Sequence, residues 1–116
     1  MLFRSVRGKK AIIGDDASMT GGTLIAGAQA LREHGATEVN VFVTHALFSH
    51  EALAAIGDPD SGISRLVVTD TVPLNALTQP ENMTVLSVSA LLAEAIMNVF
   101  ADESVSGIFG GENQLF

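Results

Sequence analysis

The sequence predicts an α/β fold with a mostly parallel sheet, and three observations carry that expectation. Apolar runs rich in β-branched residues alternate with amphipathic helical stretches along the whole chain. The connections between them are made of Gly, Asp, Ser and Pro, the residues that supply turn geometry. At 116 residues, 47% hydrophobic and 16% charged, the chain suits one domain, 1–116, with one small core that buries roughly two-thirds of the unfolded surface. No internal repeat or long Pro/Gly/Ser linker divides it.

Lys10 to Gly14 is a short apolar run and reads as the first strand. A Gly-rich connection follows, then a helix whose apolar positions Leu24, Ile25, Ala28 and Leu31 keep helical spacing. His34-Gly35 ends it, glycine providing the left-handed residue that helix C-termini favour. Val39 to Val43 is β-branched and aromatic, hence the second strand. Ser49 is placed as the N-cap of a short helix, Glu51 to Ile56, and 57–62 (Gly-Asp-Pro-Asp-Ser-Gly) is a loop. Arg65 to Thr69 is the third strand, 70–82 is irregular, and Met83 to Val88 is the fourth. A closing helix after Ser89 gathers Leu91, Leu92, Ala95, Ile96, Val99 and Phe100 on one broad face. Residues 110–116 read as a mobile tail. In such folds ligands sit beyond the carboxyl ends of the strands, so function is sought in the loops after strands one to three.

Charge narrows the ligand. The net charge is −7 from 13 acidic and 6 basic residues, and Arg4, Arg7, Lys9 and Lys10 fall in the first ten positions. Beyond them Arg32 and Arg65 stand alone against every acid, which excludes the clustered Lys/Arg surface that nucleic acid requires. An anionic ligand here would need backbone amides, a helix N-terminus, a cation or a second chain. The apolar stretch after Lys10 is three residues long, too short for a signal peptide, and the closing helix is far short of a membrane span. No cysteine is present, which excludes thiolate chemistry and fits a cytoplasmic location. The expectation is a soluble, cytoplasmic protein with no nucleic-acid or membrane partner.

The first loop holds two different chemistries. Asp15-Asp16 would repel a phosphate at contact range, so their partners are sugar hydroxyls or a divalent cation. Thr20-Gly21-Gly22-Thr23 opens a helix. Its glycines let amides converge, and its hydroxyls add donors at the positive end of the helix dipole. Either half alone is ordinary turn chemistry; in this order, between a strand and a helix, the two halves suit a sugar phosphate. The loop lacks the Lys of a nucleotide-binding P-loop and the three-glycine spacing of a dinucleotide fingerprint.

Asp15-Asp16 followed by Thr20-Gly21-Gly22-Thr23-Leu24 resembles the phosphoribosyl-pyrophosphate loop of type I phosphoribosyltransferases. Thr44-His45-Ala46-Leu47-Phe48-Ser49, Val68-Thr69-Asp70-Thr71-Val72-Pro73, Leu86-Ser87-Val88 with Leu91 to Ile96, and Glu103-Ser104-Val105-Ser106 narrow the resemblance to ribose-phosphate pyrophosphokinases, over about residues 6 to 109. It implies a three-layer phosphoribosyltransferase-like domain. The implied reaction moves the pyrophosphoryl group of ATP to ribose 5-phosphate with Mg²⁺, giving phosphoribosyl pyrophosphate. By the same resemblance, residues Asp15, Asp16, Ala17, Ser18, Met19, Thr20, Gly21, Gly22 and Thr23 line the ribose 5-phosphate or phosphoribosyl pyrophosphate site. Asp15 and Asp16 would hold ribose hydroxyls or contact Mg²⁺, and Ser104 and Ser106 would belong to a regulatory phosphate site.

Two departures accompany the resemblance. Met19 stands where the family often has a third acid, and the ATP-binding part with its basic catalytic loop is missing. The chain therefore reads as a C-terminal half, inactive alone, that forms a homo-oligomer or pairs with a complementary N-terminal or full-length synthetase chain. A non-catalytic regulatory partner of a synthetase and another phosphoribosyltransferase-like protein are the alternatives. No catalytic residue is assigned: His45, just past a strand end, reads as a hydrogen-bonded structural group. His34, His45 and His50 lack the spacing of a metal set.

Overall fold

A computed structural model describes residues 5–74 and 77–109, so the expected tail, 110–116, lies outside the described residues. The chain divides into two compact units, Met1–Leu86 and Ser87–Phe116.

The first unit is an α/β layer structure on a parallel sheet. Its elements run β1 (Lys10–Ser18), α1 (Gly22–Glu33), β2 (Glu38–Ala46), α2 (His50–Gly57), a 3-10 turn (Pro59–Ser61), β3 (Arg65–Thr69) and β4 (Met83–Leu86). The strands lie in the order β1-β2-β3-β4 and every pairing is parallel. Each crossover moves one strand further in the same direction, so right-handed connections put α1 and α2 on the same face. Burial agrees: Val39, Val41 and Val43 of β2 alternate into a core shared with Leu66, Val68, Leu24, Ala28, Leu53 and Ile56. The opposite face of this unit leaves Ile12 78% and Phe42 40% exposed.

Local chemistry explains the boundaries. After α1, the Gly35 amide donates to the Arg32 carbonyl and the Ala36 amide to the Leu31 carbonyl, with Gly35 at φ +96°. That is the paired bond pattern of a glycine-terminated helix, as the sequence predicts. Ser49 caps α2 through its Oγ, which accepts from the Ala52 amide at 3.1 Å. The third strand falls on the residues expected.

Several boundaries differ. β1 continues through Asp15, Asp16, Ala17 and Ser18, because the backbones of Asp15, Ala17 and Ser18 pair with Val43, His45 and Ala46 of a β2 that is itself longer than expected. The acid pair is therefore part of the strand, near the end where the sequence places it. The expected loop at 57–62 contains the 3-10 turn, capped by the Asp58 carboxylate accepting from the Asp60 amide at 2.8 Å. β4 ends at Leu86, two residues early.

The second unit contains α3 (Ser89–Phe100) and a 3-10 segment (Val105–Phe109). Asn98 joins them, its Nδ2 donating to the Ser104 carbonyl at 3.2 Å while its own carbonyl accepts from Glu103. None of the residues of α3 is buried.

Candidate functional site

The site is built where β1 and β2 end side by side. β1 delivers Asp15 and Asp16, both exposed. Each carboxylate folds onto the next amide: Asp15 Oδ1 accepts from the Asp16 N–H at 2.8 Å and Asp16 Oδ1 from the Ala17 N–H at 2.9 Å. One oxygen of each acid is thus engaged with backbone, which fixes the side chains without consuming their second oxygens. The Asp16 carboxyl is held below its ordinary value, first by a hydrogen bond with the Asp15 side chain, then by backbone amides and the charge of nearby His45. Asp16 is ionised at neutral pH and ready to accept hydrogen bonds or ligate a cation.

The chain then turns through Ser18, Met19 and Thr20 into α1. The end of β2 holds this turn: the Leu47 amide donates to the Ser18 carbonyl at 3.1 Å and the Ser49 amide to the Met19 carbonyl at 3.2 Å. The Met19 side chain is 65% exposed. Gly21 is the residue before α1, left-handed at φ +70°, and its carbonyl accepts from Ile25 at 2.9 Å. An added Cβ there would sit 3.1 Å from Ile56 Cδ1. Left-handed backbone and close approach to α2 together favour glycine. The Gly22 amide donates to Thr20 Oγ1 at 3.4 Å, and the N-cap residue, Gly21, has no side chain to cap α1. No acid stands in its first turn, so nothing there competes electrostatically with an anion.

Ala17 and Ser18 are half-buried strand residues paired with His45 and Ala46. The structure thus assembles 15–23 as one continuous strand-turn-helix segment. Ser104 and Ser106 lie in the second unit, where their hydroxyls bond each other at 2.6 Å and the Ser106 amide donates to Ser104 Oγ. Among the described residues no group of three or more His, Cys, Asp or Glu gathers as a metal site. No helix among them is long and apolar enough to cross a membrane.

Sequence reading missed a threonine cluster at the ends of β2 and β3. Thr69 and Thr71 both donate to the Thr44 carbonyl, at 2.5 and 3.2 Å, and Thr71 Oγ1 lies 2.7 Å from His45 Nδ1. The signal was present as Thr44-His45 and Thr69-Asp70-Thr71 at two adjacent strand ends. The expectation that His45 is hydrogen-bonded holds.

Fold and segment together define a parallel α/β domain carrying an acid pair and a glycine-opened helix at the carboxyl end of its sheet. Comparison with known proteins makes the class specific. Residues 2–110 match the family model described as the phosphoribosyl synthetase-associated domain. The chain is 44% identical over 111 residues to a ribose-phosphate pyrophosphokinase of Marinomonas sp. (strain MWYL1), covering 94% of this chain and 34% of that protein. It is 46% identical over 109 residues to the one of Shewanella oneidensis, covering 93% and 34%. Its fold superposes on the crystal structure of phosphoribosylpyrophosphate synthetase from Mycobacterium smegmatis with a TM-score of 0.79 and 35% identity, covering 86% of this chain and 33% of that one. The chain belongs to the phosphoribosyl synthetase-associated domain family. It spans about a third of the length of these relatives, which corrects the expectation of a C-terminal half: what matches is a synthetase-associated domain, smaller than half of the protein.

Proposed function

We propose that this chain is the part of a ribose-phosphate pyrophosphokinase that binds ribose 5-phosphate, or the phosphoribosyl pyrophosphate made from it. The observation that carries the reading is the strand-turn-helix segment 15–23. It places two fixed, exposed carboxylates at the end of β1, and left-handed Gly21 opens α1 with no acid in its first turn. Carboxylates accept from sugar hydroxyls, whereas the start of α1 and the Thr20 and Thr23 hydroxyls offer donors to a phosphate. One ligand that brings donors at one end and an anion at the other satisfies both halves. A domain with so few lysines and arginines gains such an anion from neutral donors.

Mg²⁺ fits the same residues. Two exposed carboxylates cannot form a protein cage, but Mg²⁺ is commonly held by one or two carboxylates together with ligand phosphates and water. Asp15 and Asp16 would hold it, and it would neutralise phosphate charge there. Transfer from ATP needs cationic groups around the moving phosphoryl, and these come from the remaining two-thirds of a synthetase chain. In the first unit the exposed Ile12 and Phe42 offer a surface for association with such a chain or with a second copy. Ser104 and Ser106, as a bonded hydroxyl pair, would add acceptors and donors to a phosphate site completed by that neighbour.

Calorimetric titration of the chain with ribose 5-phosphate in Mg²⁺, with Asp16→Asn as control, tests the reading. Saturable binding that the substitution abolishes is expected. Equal binding by both proteins, or no binding by either, overturns it.

A further inference from the structure

Proton counting favours one hydrogen-bond order around His45. The Thr44 carbonyl ends β2 one residue before His45 and has two lone pairs. Thr69 Oγ1 occupies one at 2.5 Å and Thr71 Oγ1 the other at 3.2 Å. A hydroxyl owns a single proton. Thr69 Oγ1 also lies 3.3 Å from Thr71 Oγ1, but its one proton goes to the closer Thr44 carbonyl; with the Thr71 proton directed at Thr44 as well, the Thr71 oxygen accepts from His45 Nδ1, 2.7 Å away. A neutral imidazole carrying its proton on Nδ1 leaves the lone pair on Nε2, and no described residue hydrogen-bonds that nitrogen.

The ring stands beside the acid pair. His45 is the register partner of Ala17, so its side chain shares a sheet face with Ala17 and Asp15, and it is near enough to Asp16 for its charge to act on that carboxyl. His45 is exposed, so a ligand resting on the acid pair is within its neighbourhood. We propose that His45 is a ligand-contacting residue of this site, locked by Thr71, Thr44 and Thr69 in the Nδ1–H form so that Nε2 accepts a hydrogen bond from a sugar hydroxyl. The proposal rests on the sugar-phosphate reading of residues 15–23. Chemically, it turns two acceptor side chains into three, matched to a polyol that brings several donors.

The test is a long-range proton–nitrogen correlation spectrum of the histidine-labelled chain at about pH 8, where imidazoles are mostly neutral. His34 is an internal reference, because its Nδ1 faces the Ala30 carbonyl at 2.8 Å, an acceptor only, and must carry the proton. His45 is expected to show the same pattern as His34. In Thr71→Val the His45 pattern changes to a mixture of tautomers while that of His34 stays. Adding ribose 5-phosphate with Mg²⁺ shifts the His45 Nε2 resonance. Affinity falls about tenfold in His45→Ala, the size of one lost hydrogen bond, and His45→Gln, which keeps an acceptor, recovers part of it. An Nε2–H tautomer in the unmodified chain, or unchanged affinity in His45→Ala, overturns the proposal. If His45 shows the Nδ1–H form but the unmodified chain binds no ribose 5-phosphate, the sugar-phosphate reading fails and the proposed contact fails with it.

Discussion

The Ser49 amide donates to the Met19 carbonyl at 3.2 Å while the Ser49 hydroxyl accepts from the Ala52 amide at 3.1 Å. One residue therefore both starts α2 and holds the turn between β1 and α1. The turn's position depends on the end of β2 as much as on its own residues. Cutting the cap should loosen α2 and leave the backbone bond to Met19 in place. Ser49→Ala is expected to cost about 1 kcal/mol, the usual worth of a serine N-cap, read from the midpoint of urea unfolding. Ser49→Asp, which can also cap, should recover most of it.

Gly21 and Gly22 differ in what a methyl group would meet. At Gly21 the backbone is left-handed and the new Cβ lies 3.1 Å from Ile56 Cδ1; at Gly22 it lies 3.7 Å from Thr20 Oγ1, an ordinary contact. Gly21→Ala should cost roughly 1–2 kcal/mol, because a left-handed alanine is strained and the tip of Ile56 must give by a few tenths of an ångström. Gly22→Ala lies inside α1, where alanine is the better helix former, and its midpoint should not fall. A larger loss at Gly22 than at Gly21 would contradict this geometry.

Most of the fold was legible because it is local. Gly35 ending α1, Ser49 starting α2 and the bounds of β3 all follow from residues next to the feature they create. What was not legible depends on pairing across the sheet. Asp15 to Ser18 have turn-like composition, yet register with Val43, His45 and Ala46 extends them as strand, tertiary pairing overriding propensity. The candidate site was visible as a motif, but its support was not. The contact of His45 with Thr71 spans 26 residues, and no spacing rule connects them.

The Asp16 carboxyl gives a pH-dependent signature. Its value is lowered in the folded chain, with the Asp15 hydrogen bond as the first cause. A depressed acid contributes stability that is complete above its unfolded value of about 3.9 and is lost as pH falls through the folded value. Carboxyl-detected NMR titration should place the Asp16 midpoint below that of an ordinary aspartate. In Asp15→Ala the midpoint should rise toward the ordinary range. An unchanged midpoint in that variant would remove Asp15 as the cause.

Arg32 organises the opposite end of the first unit. Its Nε donates to the Gly62 carbonyl at 3.0 Å, Nη1 to the Thr37 carbonyl at 2.7 Å and Nη2 to Ser64 Oγ at 2.7 Å. The Ser64 hydroxyl in turn accepts from the Val39 amide at 3.1 Å. One guanidinium thus ties the last turn of α1 to the start of β2 and to the segment entering β3. A planar fork with five donors can reach three acceptors in fixed directions, whereas an ammonium on a flexible stem cannot reproduce that geometry. Arg32→Lys should therefore be nearly as destabilising as Arg32→Ala. Exposure to solvent limits the loss to about 1–2 kcal/mol, since water can replace part of each bond. Urea midpoints of the two variants measured side by side decide it. If lysine restores the midpoint of the unmodified chain, charge at the C-terminal turn of α1 is what matters, and the three-way fork is not.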